Sequence, residues 1–197
     1  MPFLDTTDAR WTNLLEQVNH DMYHLPGYCS IEAWLIGGRA TVWYHSDGFN
    51  ELLIPLIARS ISETNRMADL VSPYGYPGVL SKYPLNTEEA ELLMETYHQE
   101  AAVEGFVSSF IRLNPLLNNW RFAPTPIFRQ WMHGGTVSVS LEGISNPLSH
   151  AYSLNHKRNL KRLAGAGFHA LINDWDSINE FIDAYRQTVS SPKNSTV

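Results

Sequence analysis

Apolar residues recur at helical spacing after Asp8, at Trp11, Leu14, Leu15 and Val18, and predict a short helix with Asp8 as its cap. A turn at 24–26 precedes a second short helix over about 28–35, which Gly37 and Gly38 break. Positions 39–45, rich in Val, Trp and Tyr, read as a strand, and Asp47-Gly48 turns the chain into another strand over 51–61. There Leu52, Leu53, Ile54, Leu56 and Ile57 form a nearly continuous apolar run, as in a strand buried on both faces. Pro55 lacks an N–H, so it points to an edge, a bulge or a strand start. A short extended piece from Met67 leads into a loop dense in turn residues over 72–78.

The clearest helix covers 87–105: Thr87 caps it, acidic residues fill its first turn, and Gly105 stops it. Strands follow over 106–113, 127–132 and 136–141, with a loop carrying Trp120, Pro124 and Pro126 between the first two. Asn146-Pro147 marks a boundary. Beyond it the pattern predicts a basic helix over 149–164, a strand over 168–172, a helix over 174–189 and a disordered polar tail over 190–197. Helices alternating with strands, and strands following strands mid-chain, give an α/β fold with a mixed sheet. The last helix has an apolar stripe of Trp175, Ile178, Phe181, Ile182 and Tyr185 with only one strand to accompany it. A helix and one strand make no core, so this part must pack on the first domain or on something outside the chain. The chain reads as cut short.

Composition narrows the class. The 197 residues are 44% hydrophobic and 17% charged, which suits a globular protein with an aromatic-rich core. Lys and Arg number 14 against 20 Asp and Glu, and the net charge of −6 argues against a DNA-binding protein. The N-terminus has acidic residues where a signal peptide carries basic ones, and no apolar run is long enough to span a bilayer, so the chain reads as cytoplasmic. Cys29 is the single cysteine, which rules out an internal disulfide and reads as a small packed hydrophobe.

Few motifs carry chemistry. His20 and His24 have the H-x-x-x-H spacing of a zinc site, but Asp21 stands where the general-base Glu belongs, Pro26 follows closely and no third ligand is signalled. They read as structural histidines, with no metal. Residues 162–167 fit R-x-x-G-x-G, a pattern that cradles pyrophosphate when a strand precedes it and a helix follows. Here a helix precedes the glycines, and a glycine cap explains them. His156, Lys157, Arg158, Lys161 and Arg162 make one helix basic, either as a solvated face or as an anion site. No G-x-S-x-G elbow or Walker loop is present.

Several stretches together resemble the FemAB-like branch of the GNAT acyltransferase superfamily. They are Asp21-Met22-Tyr23-His24-Leu25-Pro26-Gly27-Tyr28, Leu53-Ile54-Pro55-Leu56-Ile57-Ala58-Arg59 and Asp69-Leu70-Val71-Ser72-Pro73-Tyr74-Gly75-Tyr76-Pro77-Gly78. Phe110-Ile111-Arg112-Leu113-Asn114-Pro115-Leu116-Leu117 resembles the family's arginine-containing strand end, where His or Asp often replaces Asn114. The basic run from Asn155 to Gly167 resembles its helix leading into a second domain. The matches follow the family's order from 21 to 188, and the tyrosine–glycine loop with the basic helix is the most specific part.

The resemblance implies tandem GNAT-like domains with a cleft between them: a first, acceptor-side domain over 1–147 and the start of an incomplete second over 148–189. It also implies transfer of an acyl or aminoacyl group, from acyl-CoA or aminoacyl-tRNA, to an amine of a peptidoglycan or polysaccharide precursor. On that analogy Tyr74 and Tyr76 line the acceptor cleft, Asp69 orients the loop and Arg112 holds an anionic group. Arg158 and Arg162 sit at the domain junction. The tail from Val189 departs from the family pattern, so the donor-binding strands are expected to be missing. The alternative is a non-catalytic acceptor-binding module that forms a homodimer or pairs with a complementary chain.

Overall fold

In the computed structural model, which describes residues 1–61, 67–117, 119, 128–138, 142 and 152–190, the chain divides into two compact units, Met1–Ser138 and Val139–Val197. The first unit is built on a six-stranded mixed sheet. Its strands are β1 (Phe3–Leu4), β2 (Arg39–Ser46), β3 (Glu51–Ser60), β4 (Ala68–Val71), β5 (Leu80–Ser81) and β6 (Phe106–Phe110). They run in the order β1-β2-β3-β4-β6, with β5 also paired to β3. All neighbours are antiparallel except β4 and β6, which are parallel.

The alternation of side chains along β2 and β3 feeds two cores, one on each sheet face. Trp43, Leu52, Ile54 and Leu56 pack on Met94, Tyr97 and Ala101 of α3 (Thr87–Val103). Val42 and Leu53 face the other way, onto Trp11, Leu14 and Leu15 of α1 (Ala9–Leu15) and Cys29 of α2 (Pro26–Leu35). The run 52–57 is buried throughout, as its unbroken apolarity predicts. Helices therefore flank a mixed sheet.

Pro55 occupies the interior of β3, and not an edge, a bulge or a start. It stands opposite Val42 in an unbroken register with β2. On the other side β5 covers only Leu52 and Leu53, and β4 begins at Ile57. Pro55 thus falls in a gap where that side carries no ladder, which removes the usual objection to a central proline.

Other expectations shift at their ends. Asp8 caps α1 as expected, its side chain accepting from the Arg10 N–H. For α3 the cap is Asn86, one residue before the expected Thr87; Asn86 and Glu89 exchange a capping box, and Gly105 turns out of the helix at φ 86°. Residues 128–132 and 136–138 are not strands, although Phe128 packs on the α3-side core and stacks on Tyr97. Ile127, 139–141, the loop at Trp120, Pro124 and Pro126, the boundary at Asn146-Pro147 and the tail 191–197 lie outside the described residues.

The second unit holds α4 (Leu154–Gly165), capped by Ser153, and α5 (Ile178–Val189). Residues 168–172 form no strand, and the described residues of this unit include no strand for β-prone side chains to pair with. The last helix begins at Ile178 rather than at Asp174. No described side chain of this unit is buried. Among the described residues no helix is long and apolar enough to cross a membrane.

Candidate functional site

Three expected site residues of the first unit, Tyr74, Tyr76 and Arg112, lie in or next to the loop 72–78, where the parallel strands β4 and β6 both end. Ser72 extends the parallel ladder by one bond, its N–H donating to the Phe110 carbonyl at 2.9 Å. Arg112, just past β6, closes the junction from the other strand. Its backbone N–H donates to Ser72 Oγ (3.0 Å) and its Nη1 to the Ser72 carbonyl (2.9 Å), with the guanidinium 4.9 Å from the Phe110 ring centre. Its Nε and Nη2 meet no acceptor among the described residues.

Beyond Ser72, buried and exposed residues alternate. Pro73, Gly75 and Pro77 face inward, while Tyr74 and Tyr76 are 73% and 54% exposed. Gly75 makes this course of the chain feasible. Its φ is 93°, and any Cβ there would run into the Tyr23 ring. Gly78, at φ 62°, lies as closely on the side chain of Asn119.

A buried polar network holds the loop from beneath. The Pro77 carbonyl accepts from His24 Nε2 (2.7 Å) and from Asn119 Nδ2 (3.0 Å), and the same amide also donates to the Val79 carbonyl (3.2 Å). A carbonyl can only accept, so Nε2 carries the imidazole proton. Nδ1 then accepts from the Asp21 N–H (3.1 Å), completing the cap of the 3-10 turn Met22–His24. The Asp21 carboxylate approaches Nδ1 to 2.9 Å and favours the imidazolium, but burial outweighs it and holds His24 below its ordinary pKa. Asp21 also accepts from Asn114 Nδ2 (2.8 Å), and the Asn119 side chain accepts from the Asn114 N–H. Three chain segments distant in sequence thus share one hydrogen-bonded floor.

Helix α2 stitches the rim. Tyr28 and Glu32 lie one turn apart on the same face. The Tyr28 hydroxyl donates to the Tyr74 carbonyl (3.1 Å), and the Tyr74 N–H donates to Glu32 Oε2 (3.2 Å). Burial, and then the nearby Glu32 charge, raise the Tyr28 phenol.

Asp69 and two residues of the second unit complete the expected set. Asp69 lies on β4 opposite Arg59 of β3, and the two form a two-pronged ion pair across the strands. Its carboxylate is thus engaged with Arg59, whereas Ser72, His24 and Asn119 hold the loop. Arg158 and Arg162 belong to the second unit, exposed and one turn apart on α4. Cys29 is packed in the α1-side core, and burial pushes its thiol up to about 12, which leaves no thiolate for nucleophilic work. Both ring nitrogens of His24 are committed, and His20 contacts the Val18 carbonyl (3.0 Å). Among the described residues no group of three His, Cys, Asp or Glu is placed to hold a metal ion.

Asn119, Glu32 and Tyr28 were not singled out as site residues from the sequence. Asn119 lies far along the chain from the loop it supports, and no spacing rule links them. Tyr28 and Glu32 had a weak signal, the i, i+4 polar pair on an otherwise mixed helix face. The chain matches no family model, no curated protein and no solved structure.

Proposed function

We propose that the chain takes part in transferring an acyl or aminoacyl group to an amine of a cell-wall or polysaccharide precursor, in the manner of FemAB-like GNAT proteins, and that residues 1–138 furnish the acceptor side. One observation carries this reading: the 72–78 loop is fixed from beneath by buried donors and turns Tyr74 and Tyr76 outward, while Arg112, hydrogen-bonded to Ser72 at the start of the loop, keeps donors uncommitted. Exposed tyrosines on a rigid base offer flat surface for a sugar or peptide at little cost in side-chain freedom. A guanidinium with free N–H groups suits the phosphate or carboxylate of such a precursor. The loop also leaves the carboxyl ends of neighbouring parallel strands, where α/β sheets commonly hold ligands.

The transfer would proceed by direct attack of the acceptor amine on the thioester or ester carbon of acyl-CoA or aminoacyl-tRNA. The donor's thiol or hydroxyl leaves and the amine loses a proton. Orientation contributes most in such a step, and no covalent enzyme nucleophile is required. The buried Cys29 and the committed His24 are compatible with that. They are equally compatible with the second reading, an acceptor-binding module without catalysis, working as a dimer or with a complementary chain.

Titration calorimetry with a UDP-linked muramyl peptide tests the acceptor assignment. Arg112→Ala should weaken binding about tenfold or more, because a charge-assisted hydrogen bond contributes about 1.5–3 kcal/mol, and Tyr76→Phe should weaken it less. Unchanged affinity in both variants refutes the assignment. Thermal shift with acyl-CoA separates the two readings: saturation a hundredfold above Kd adds about 2.7 kcal/mol, and no shift favours the binding module.

A further inference from the structure

We infer that the second unit docks on an anionic lipid surface through the basic helix α4 and the apolar stripe of α5. The inference is independent of the acceptor reading above, which concerns the first unit. Helix α4 carries Lys157, Arg158, Lys161 and Arg162 within 12 residues and no Asp or Glu, in a chain whose net charge is −6. No carboxylate pairs with Arg158, Lys161 or Arg162 among the described residues. At the helical period those three share one face, and Leu160 and Leu163 share the opposite one. A Schellman turn closes the helix: the Phe168 N–H donates to the Leu163 carbonyl (3.0 Å) and the Gly167 N–H to the Ala164 carbonyl (3.1 Å), with Gly167 at φ 84°. These bonds fold Phe168 back toward Leu163, and its ring stays 69% exposed.

Helix α5 divides in the same way without the positive charge. Ile178, Phe181 and Tyr185 lie along one face and are exposed, while Glu180 and Asp183 fall on the other. Trp175, whose carbonyl accepts the Ile178 N–H (3.3 Å), stands in the turn that leads into the stripe and is exposed as well. Three occupants compete for these surfaces. An RNA backbone would engage the cations of α4 and leave the stripe in water. A second α5 would cover the stripe and leave the cations without counter-charge. An anionic bilayer answers both, with headgroup phosphates for the guanidinium and ammonium groups and the acyl boundary for Leu, Phe and Ile. Trp and Tyr, each with an apolar body and a polar tip, suit that boundary. With the stripe of α5 turned into the lipid, Glu180 and Asp183 face away from the anionic headgroups.

Vesicle flotation of the full chain tests this, with vesicles of phosphatidylcholine alone and of phosphatidylcholine and phosphatidylglycerol in equal parts. The wild type should float with the anionic vesicles, release them as salt rises, and leave the neutral ones unbound. Lys161→Gln with Arg162→Gln should weaken binding about tenfold or more, and Phe181→Ser with Tyr185→Ser should weaken it comparably. All four side chains are exposed, so both variants should melt with the wild type. Retained binding in either variant overturns the part assigned to that helix. Equal binding to the two vesicles, or to neither, overturns the inference. Binding of bulk transfer RNA without vesicle binding assigns α4 to nucleic acid instead, and dimerisation in sedimentation without vesicle binding assigns the stripe to a second copy; each overturns it too.

Discussion

At the scale of single residues, the conformation of the loop is dictated by two positions where side-chain chemistry leaves little choice. Gly75 combines a left-handed φ with contact against the Tyr23 ring. Gly75→Ala should therefore cost about 2 kcal/mol or more, from the backbone and the clash together. That corresponds to a Tm lower by roughly 4–8 °C for a chain of this size, read by thermal denaturation. His24 supplies a pH signature. Its folded pKa lies below the ordinary histidine value, so the unfolded chain binds the proton more readily. Stability from this group is complete above about pH 6.5 and is lost as pH falls through the depressed folded pKa. His24→Gln can still donate to Pro77 but cannot titrate. The stability gap between wild type and His24→Gln should narrow as pH falls from 7 to 5, and a constant gap would refute it.

At the scale of elements, propensity and periodicity locate the long members and miss those set by tertiary contact. The run 51–61, the helix after residue 86 and the strand 39–45 each carry an unbroken local pattern and form nearly as predicted. β1 and β5 have two residues each, too few for a period to register, and exist because β2 and β3 offer them an edge. The residues 136–138 show the reverse: a clean alternation of Val with Thr and Ser, and no partner strand among the described residues. The same logic divides the site. Turn residues and the resemblance single out Tyr74, Tyr76 and Arg112 in the sequence as candidates. Asn119 supports the loop through contacts that span tens of residues, and nothing local announces it; the H-x-x-x-H pair marks His24 only as structural, and its spacing from Tyr28 gives Glu32 a weak signal. The helix cap is a local feature that can be tested by itself. Asn86→Ala removes one half of the box with Glu89 and should lower stability by about 1 kcal/mol, whereas Thr87→Ala should leave it nearly unchanged; the reverse order in denaturant titrations would contradict the assignment.

At the scale of the molecule, the two units differ in what stabilises them. The first encloses cores on both sheet faces. The second has two amphipathic helices of 12 residues each and no buried side chain among its described residues. Helices of that length are marginal in water without packing. Amide exchange should consequently be fast along α4 and α5 and slow along β3 and the buried face of α3. Slow exchange in α5 would mean that its stripe of Ile178, Phe181 and Tyr185 is covered in solution. The account as a whole depends on the 72–78 loop being where an acceptor binds. Backbone amide NMR of the full chain, titrated with a UDP-linked muramyl peptide, tests that most directly. The predicted result is a set of shifts centred on Tyr74, Gly75, Tyr76, Glu32 and Arg112, absent in Arg112→Ala. Saturable binding that leaves those amides unmoved and shifts others would contradict it.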